Sequence, residues 1–324
     1  DGTVDLKKAI QAKFSRENSL SYGLDQITVG TGGKQVLYNT FMATVNKGDE
    51  VIIPAPYWVS YPDIILLAGG KPKIVKCDEK DSFKLTPKKL EKAISKKTKW
   101  VILNSPSNPT GAAYTKKEIE ELSKILTKYK KIYILSDDIY EHIIYDNFKF
   151  FTIAQIKGLK GRTLTMNGVS KSYSMTGWRI GYAAGNAEII KKMKTLQSQS
   201  TSCASSISQA AACSALTNIC NELPIMNDEY KKRHDYVVSE LNKIQGVECK
   251  PTDGTFYVFP SFKDCIAKNN ISNDSELALY ILDKAKVAVV PGSAFGIENH
   301  IRISIAIDMD SLKEAMHRLK NLFL

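Results

Sequence analysis

The segment Gly168-Val169-Ser170-Lys171-Ser172-Tyr173-Ser174-Met175-Thr176-Gly177-Trp178-Arg179-Ile180-Gly181 is the richest in potential chemistry. Lys171 follows the strand-like run Thr163–Met166, has small residues around it, and precedes Arg179 by eight positions. This spacing suits an amine that must reach an aldehyde with little obstruction, while a guanidinium from the same loop grips a phosphate. A single lysine beside a glycine turn is ordinarily a surface residue. The whole segment makes that reading a poor one.

Four further segments could supply partners. Ser136-Asp137-Asp138-Ile139-Tyr140-Glu141-His142 follows the apolar run Ile132–Leu135, which puts Asp137 at the carboxyl end of a strand, where open α/β sheets bind ligands. Taken alone, it would be an Asp-rich turn, and Asp138 is not selected. Asn104-Ser105-Pro106-Ser107-Asn108-Pro109-Thr110-Gly111 is a turn stiffened by its prolines. Gly30-Thr31-Gly32-Gly33-Lys34-Gln35 lies between a strand and a helix, where free N–H groups attract anions, although many such turns only cap helices. His300-Ile301-Arg302-Ile303-Ser304-Ile305-Ala306 places an arginine in an apolar run, and a buried guanidinium needs an anion to offset its desolvation.

The elements that must position these residues are legible as hydrophobic patterns. Helical periodicity covers Val4–Phe14, Gly33–Val45, Tyr57–Leu67 and Thr115–Tyr129, the last opening with the capping-box spacing Thr115 and Glu118. Seven strand-like runs alternate with them: Ile27–Val29, Val51–Ile53, Ile74–Lys76, Trp100–Leu103, Ile132–Leu135, Thr163–Met166 and Ile180–Ala183. The alternation predicts an α/β layer with a mainly parallel seven-stranded sheet. After Asn186 the pattern turns helical, through Leu196, Ala204–Ala215 and Met226–Leu241. Strand-like Phe256–Phe259, Val287–Val290 and Ile301–Ile305, with helices at Ser275–Lys284 and from Ser311, predict a second α+β unit. We therefore expect a large α/β domain over 1–224, a connecting helix over 225–245 and a smaller C-terminal domain over 246–324.

Composition excludes several function classes. The 324 residues carry a formal charge of +11, but only six of the 45 basic residues are arginines. The lysines are dispersed beside acids, as in Lys116-Lys117-Glu118, which reads as solvated helix faces and argues against a nucleic-acid partner. Where Lys serves for plain charge, Arg is kept for two-pronged binding of phosphate or carboxylate, which marks Arg179 and Arg302. No apolar run is long enough to span a bilayer. The six cysteines (Cys77, Cys203, Cys213, Cys220, Cys249, Cys265) form no CxxC pair, so reduced thiols in a cytoplasm are expected. For Cys203, Cys213 and Cys220, helix packing is the default reading. Four histidines without an HxxxH or Cys/His cluster make a metal site improbable.

The Lys171 segment resembles the Schiff-base lysine signature of class I pyridoxal-phosphate aminotransferases, with every restricted position met. The resemblance runs the length of the chain, and the GGKQ and PYWVSYP segments are similar to those of bacterial and archaeal aspartate aminotransferases. It implies fold type I and pyridoxal 5'-phosphate on Lys171, whose freed amine would shift the substrate's α-proton. It also implies that Asp137 pairs with the ring nitrogen, that Tyr140 and Asn108 reach the phenolate oxygen, and that Trp58 stacks on the ring. Gly32, Gly33, Lys34, Ser170 and Arg179 would complete the cofactor site. Arg302 would fork onto the α-carboxylate of the substrate, with Trp58 and Asn108 beside it, and Lys34 would reach a side-chain carboxylate. An exposed lysine in a first helical turn is the plainer alternative for Lys34.

The implied reaction moves an amino group between aspartate or glutamate and a 2-oxo acid such as 2-oxoglutarate, in a homodimer with shared sites. An aromatic or prephenate aminotransferase and a fold-type-I lyase stand as alternatives, as does a regulator with an aminotransferase-like domain. The family also carries an N-terminal arm, with a substrate-touching glycine and a tyrosine that reaches the neighbouring subunit. Neither has a counterpart here, and we expect such an arm to precede Asp1 in the full-length protein.

Overall fold

A computed structural model describes residues 1–218 and 221–323. Helices α1 (Val4–Asn18), α2 (Gly33–Thr44), α3 (Ser60–Leu67), α4 (Pro87–Ala93), α5 (Lys116–Leu126), α6 (Ala187–Ser198) and α7 (Ser206–Thr217) accompany the seven-stranded sheet. Its strands are β1 (Ile27–Thr31), β2 (Glu50–Ala55), β3 (Lys71–Lys76), β4 (Thr98–Asn104), β5 (Tyr133–Asp137), β6 (Thr163–Gly168) and β7 (Ile180–Ala184), in the spatial order β1-β7-β6-β5-β4-β2-β3. Only β7 runs against its neighbours; β6-β5-β4-β2-β3 are parallel. Parallel strands need crossover helices, and the two faces of the sheet are accordingly covered. One apolar cluster joins α2, α3 and α6 to it through Phe41, Tyr61, Ile65 and Met193. Another joins α1 and α7 through Phe14, Ile10 and Leu216. Buried side chains of this kind contribute about 1.5–3 kcal/mol each.

A smaller C-terminal unit follows. Helix α8 (Glu222–Leu241) leads to β8 (Tyr257–Val258), α9 (Lys263–Lys268), α10 (Asp274–Ala285), β9 (Val290–Pro291), β10 (Ile301–Ser304) and α11 (Met309–Leu322). Its three strands form an antiparallel sheet in the order β8-β10-β9, packed on Leu241, Ile281, Leu312 and Leu319. Pro224 is tolerated in α8 because it lies in the first turn, where no intrahelical partner is needed. The capping box of α5 forms as its sequence predicts, with Glu118 accepting from the Thr115 N–H at 2.7 Å.

Some boundaries differ from the hydrophobic pattern. The helix expected from Tyr57 begins at Ser60, and the Tyr57 N–H bonds the carbonyl of Phe295 in the smaller unit. The strand expected over Phe256–Phe259 shortens to Tyr257–Val258, and the one expected over Val287–Val290 shifts to Val290–Pro291. They keep only the residues that pair with β10.

Candidate active site

The sheet brings the distant segments to one edge. Strands β4, β5 and β6 end side by side at Asn104, Asp137 and Gly168, and the start of antiparallel β7 meets the ends of β1 and β6. Gly181 pairs with both Gly30 and Gly168. A Cβ on Gly181 would lie 2.3 Å from the Gly33 nitrogen, so this approach of backbones requires glycine. The result is a cavity of about 380 Å³. Of the site residues named from the sequence, Gly33, Lys34, Trp58, Asn108, Asp137, Tyr140, Ser170, Lys171, Arg179 and Arg302 all line it. Gly32 stands behind the wall, with φ at +82°, and a Cβ there would sit 2.3 Å from Nη2 of Arg179.

Asp137 is buried at the floor. Its Oδ2 accepts a hydrogen bond from the hydroxyl of Tyr61 at 2.5 Å, and Oδ1 accepts from the Ile139 N–H at 3.4 Å. Burial pushes its carboxyl up to about 6, against the opposing pull of Tyr61, the Ile139 N–H and Lys171. Burial, together with Arg179 and Arg302, lowers the Lys171 amine from the ordinary lysine range, and Asp137 opposes them. Its Nζ lies over the rings of Phe256 and Tyr140, at 5.4 and 5.9 Å from their centroids. Tyr140 in turn donates to the Tyr257 hydroxyl at 3.4 Å.

Asn104 holds the proline-rich turn in place: its Nδ2 donates to the Asp137 carbonyl, and its Oδ1 accepts from the Asn108 N–H, both at 2.9 Å. Asn108 thereby meets the smaller domain, where Nη1 of Arg302 donates to its Oδ1 at 2.9 Å. The Arg302 guanidinium lies between the rings of Tyr257 and Phe295, 4.4 and 4.9 Å from their centroids. Its Nε is buried and has no hydrogen-bond partner among the described residues. Lys34 Nζ sits over the Trp58 ring at 5.1 Å, and Trp58 packs edge-on against Tyr61. Arg179, at φ +56°, is steadied by donating from Nη1 to the Thr176 carbonyl at 2.9 Å.

Tyr61, Asn104 and Tyr257 escaped selection from the sequence. Tyr61 was accessible in principle, since it follows Trp58 by three positions at the start of a helix and so falls on the same face. Asn104 opens the turn already singled out. Tyr257 carried no signal beyond an aromatic in a strand-like run.

Lys34, Lys171, Arg179 and Arg302 face a single lining carboxylate, Asp137. This imbalance, with the unpartnered Arg302 Nε, fits a ligand that brings phosphate and carboxylate charge. A lysine amine of lowered basicity and a buried carboxylate thus line one pocket at the strand ends of an α/β sheet. The model for "Aminotransferase class I and II" matches residues 1–319, and the chain belongs to that family as a fold-type-I, pyridoxal-phosphate-dependent aminotransferase.

The aspartate aminotransferase of Rhizobium meliloti (strain 1021) is 51% identical over 325 residues, covering 98% of this chain and 79% of that protein. The aspartate/prephenate aminotransferase of Cereibacter sphaeroides is 53% identical over 326 residues, covering 99% and 82%. The crystal structure of the aspartate aminotransferase from Rhizobium meliloti superposes with a TM-score of 0.96 at 50% identity, covering 99% of this chain and 82% of that one.

Proposed function

We propose that this aminotransferase moves the amino group between L-aspartate, or glutamate, and a 2-oxo acid such as 2-oxoglutarate. The observation that carries the reading is the pair Lys34 and Arg302, two cations on the lining of one pocket, suited to the two carboxylates of such a substrate. The similar proteins named for aspartate support it. Prephenate also carries two carboxylates, so the same pair accommodates the alternative acceptor.

Pyridoxal phosphate, when bound, supplies an aldehyde that condenses with amines and a ring that withdraws electrons from the substrate's α-carbon. Arg179, Ser170 and the backbone around Gly32 and Gly33, at the start of α2, would hold its phosphate. Asp137 would keep a proton on the ring nitrogen, Tyr140 and Asn108 would reach its phenolate oxygen, and Trp58 would cover one face. Arg302 grips the substrate's α-carboxylate, its planar fork already aligned by Asn108 and Tyr257. The lowered basicity of Lys171 raises the neutral fraction of its amine, and Nζ then takes a proton from the α-carbon and returns one in the reverse half-reaction.

The domain limits 1–224, 225–245 and 246–324 belong to this proposal, with α8 as the connector. So do a cytoplasmic location and a homodimer with shared sites. Exposed Tyr38, Val59 and Trp178, each adjacent in sequence to a pocket residue, support an interface beside the site. None of the described helices is long and apolar enough to cross a membrane. The described cysteines are free thiols; Cys203 is exposed, Cys213 packs against the α1–α7 core, and Cys220 lies outside the described residues.

The test is the absorption spectrum of the protein with added pyridoxal phosphate, titrated with L-aspartate. The reading expects a Lys171-dependent long-wavelength band that gives way to the aminated cofactor's shorter-wavelength absorption. A band that ignores aspartate refutes the substrate, and a band that persists in Lys171→Ala refutes the site.

A further inference from the structure

We infer that His142 is a positioning residue for Lys171, acting through the hydroxyl of Ser172. The inference rests on the reading of Lys171 as the cofactor-linked amine. Strand β6 ends at Gly168, residues 170–173 form a turn, and a 3-10 helical turn begins at Thr176. Between them the backbone makes few bonds: Val169 N–H to the Ile180 carbonyl, Tyr173 N–H to that of Val169, and Ser174 N–H to that of Lys171. Ser172, the immediate neighbour of Lys171, is buried, and its Oγ lies 3.1 Å from His142 Nδ1. Two of these bonds close a turn around Lys171, and the Ser172 side chain ties that turn to His142.

The other ring nitrogen fixes the direction of that bond. Nε2 of His142 lies 2.9 Å from Oε2 of Glu17 on α1. Burial alone would raise Glu17, but the His142 bond, the charge of Lys13, that of the imidazole when protonated, and the Arg16 bond hold it down at about 2. A carboxylate only accepts, so Nε2 carries the hydrogen and the neutral ring offers its Nδ1 lone pair to the Ser172 O–H. A protonated ring would donate to the same oxygen, and the tether survives.

The remaining neighbours hold the imidazole in place. Asn227 of α8 donates to the His142 carbonyl at 2.6 Å, and the Tyr173 ring meets the imidazole edge-on. Glu141 Oε1 lies 3.8 Å from Nε2 and is itself bound by Lys13 and by Asn167 at 2.6 Å. The ligand-like grouping of Glu17, Glu141 and His142 thus already has its cation in Lys13. The path runs from α1 through His142 to the residue beside Lys171, and it does not touch the cavity lining.

Three variants of the full chain test it: His142→Asn, His142→Gln and Ser172→Ala. Asparagine can place an amide atom where Nδ1 stands and keep the Ser172 bond; glutamine reaches only the Nε2 position. The readouts are the rate at which cofactor-free protein captures pyridoxal phosphate, and kcat and KM. The captured adduct is reduced with borohydride and located by peptide mass. His142→Gln and Ser172→Ala should slow capture and lower kcat roughly three- to tenfold, the worth of one hydrogen bond, with KM within about twofold. His142→Asn should stay within about twofold of the parent. Rescue by glutamine instead of asparagine, equal loss in both His142 variants, or parental rates in Ser172→Ala would overturn the inference. An adduct on a residue other than Lys171 in the parent would instead overturn the site reading beneath it.

Discussion

Replacing Asp137 by Asn should stabilise the cofactor-free protein while disabling the enzyme. Asp137 is almost fully buried, and burial raises its carboxyl from 3.8 to about 6. The folded state therefore holds this proton more tightly than the unfolded chain. Stability is greatest below the unfolded value, falls as pH rises through the window from about 4 to about 6, and stays reduced above it. At about 1.4 kcal/mol per unit, the penalty at neutral pH is on the order of 3 kcal/mol. Asparagine removes the charge and keeps an oxygen to accept from Tyr61, so the charge penalty should vanish, with only the long 3.4 Å contact to the Ile139 N–H given up. The assay is urea unfolding of both proteins at pH 4, 5.5 and 7.5. The difference should be near zero at the lowest pH and grow to about 3 kcal/mol in favour of the variant. The contribution of neighbouring Asp138, also raised by burial, is common to both proteins. With pyridoxal phosphate bound the order should reverse, because a carboxylate opposite a protonated ring nitrogen gains from its charge. A difference independent of pH, or a variant less stable at pH 7.5 without cofactor, would refute the reasoning.

Lys13→Met should destabilise the fold by about 3–5 kcal/mol in urea unfolding, because it strands the buried Glu141 carboxylate without its cation. Adding Glu141→Gln should recover part of that loss. Gly32→Ala should weaken pyridoxal phosphate binding about tenfold or more in a direct titration, since the new Cβ would displace the Arg179 guanidinium from its place behind the phosphate-side wall. Lys34→Met should lower kcat/KM for aspartate about tenfold or more and leave aromatic donors nearly unaffected, as expected of a charge that meets only a side-chain carboxylate. Equal losses for both donor classes would contradict that role.

Much of the site was legible because its groups sit in short segments whose local pattern is dictated by chemistry. Asp137 could be placed at a strand end from Ile132–Leu135 alone, and Lys171 and Arg179 share one loop. The longer helices and the seven strands followed from periodicity, whereas the short α4 and α9 did not. Apart from Asn104, what escaped were residues whose partners lie far along the chain. Tyr61 bonds Asp137 from 76 positions away, and Tyr140 meets Tyr257 across 117. The short strands of the smaller sheet also shifted, because pairing with β10, rather than local pattern, sets their limits.

The sequence by itself determined the alternation of elements, the lysine-bearing loop and the choice of arginine at Arg179 and Arg302, since periodicity and side-chain chemistry are local properties. Only the tertiary structure decided that Asn108 and Arg302, 194 positions apart, would meet, and that four cations would face one buried carboxylate. It also set the protonation of the site: the shift of Asp137 comes from burial and the lowering of Lys171 from burial beside Arg179 and Arg302. Those are consequences of dielectric and distance, which no single segment of the chain possesses.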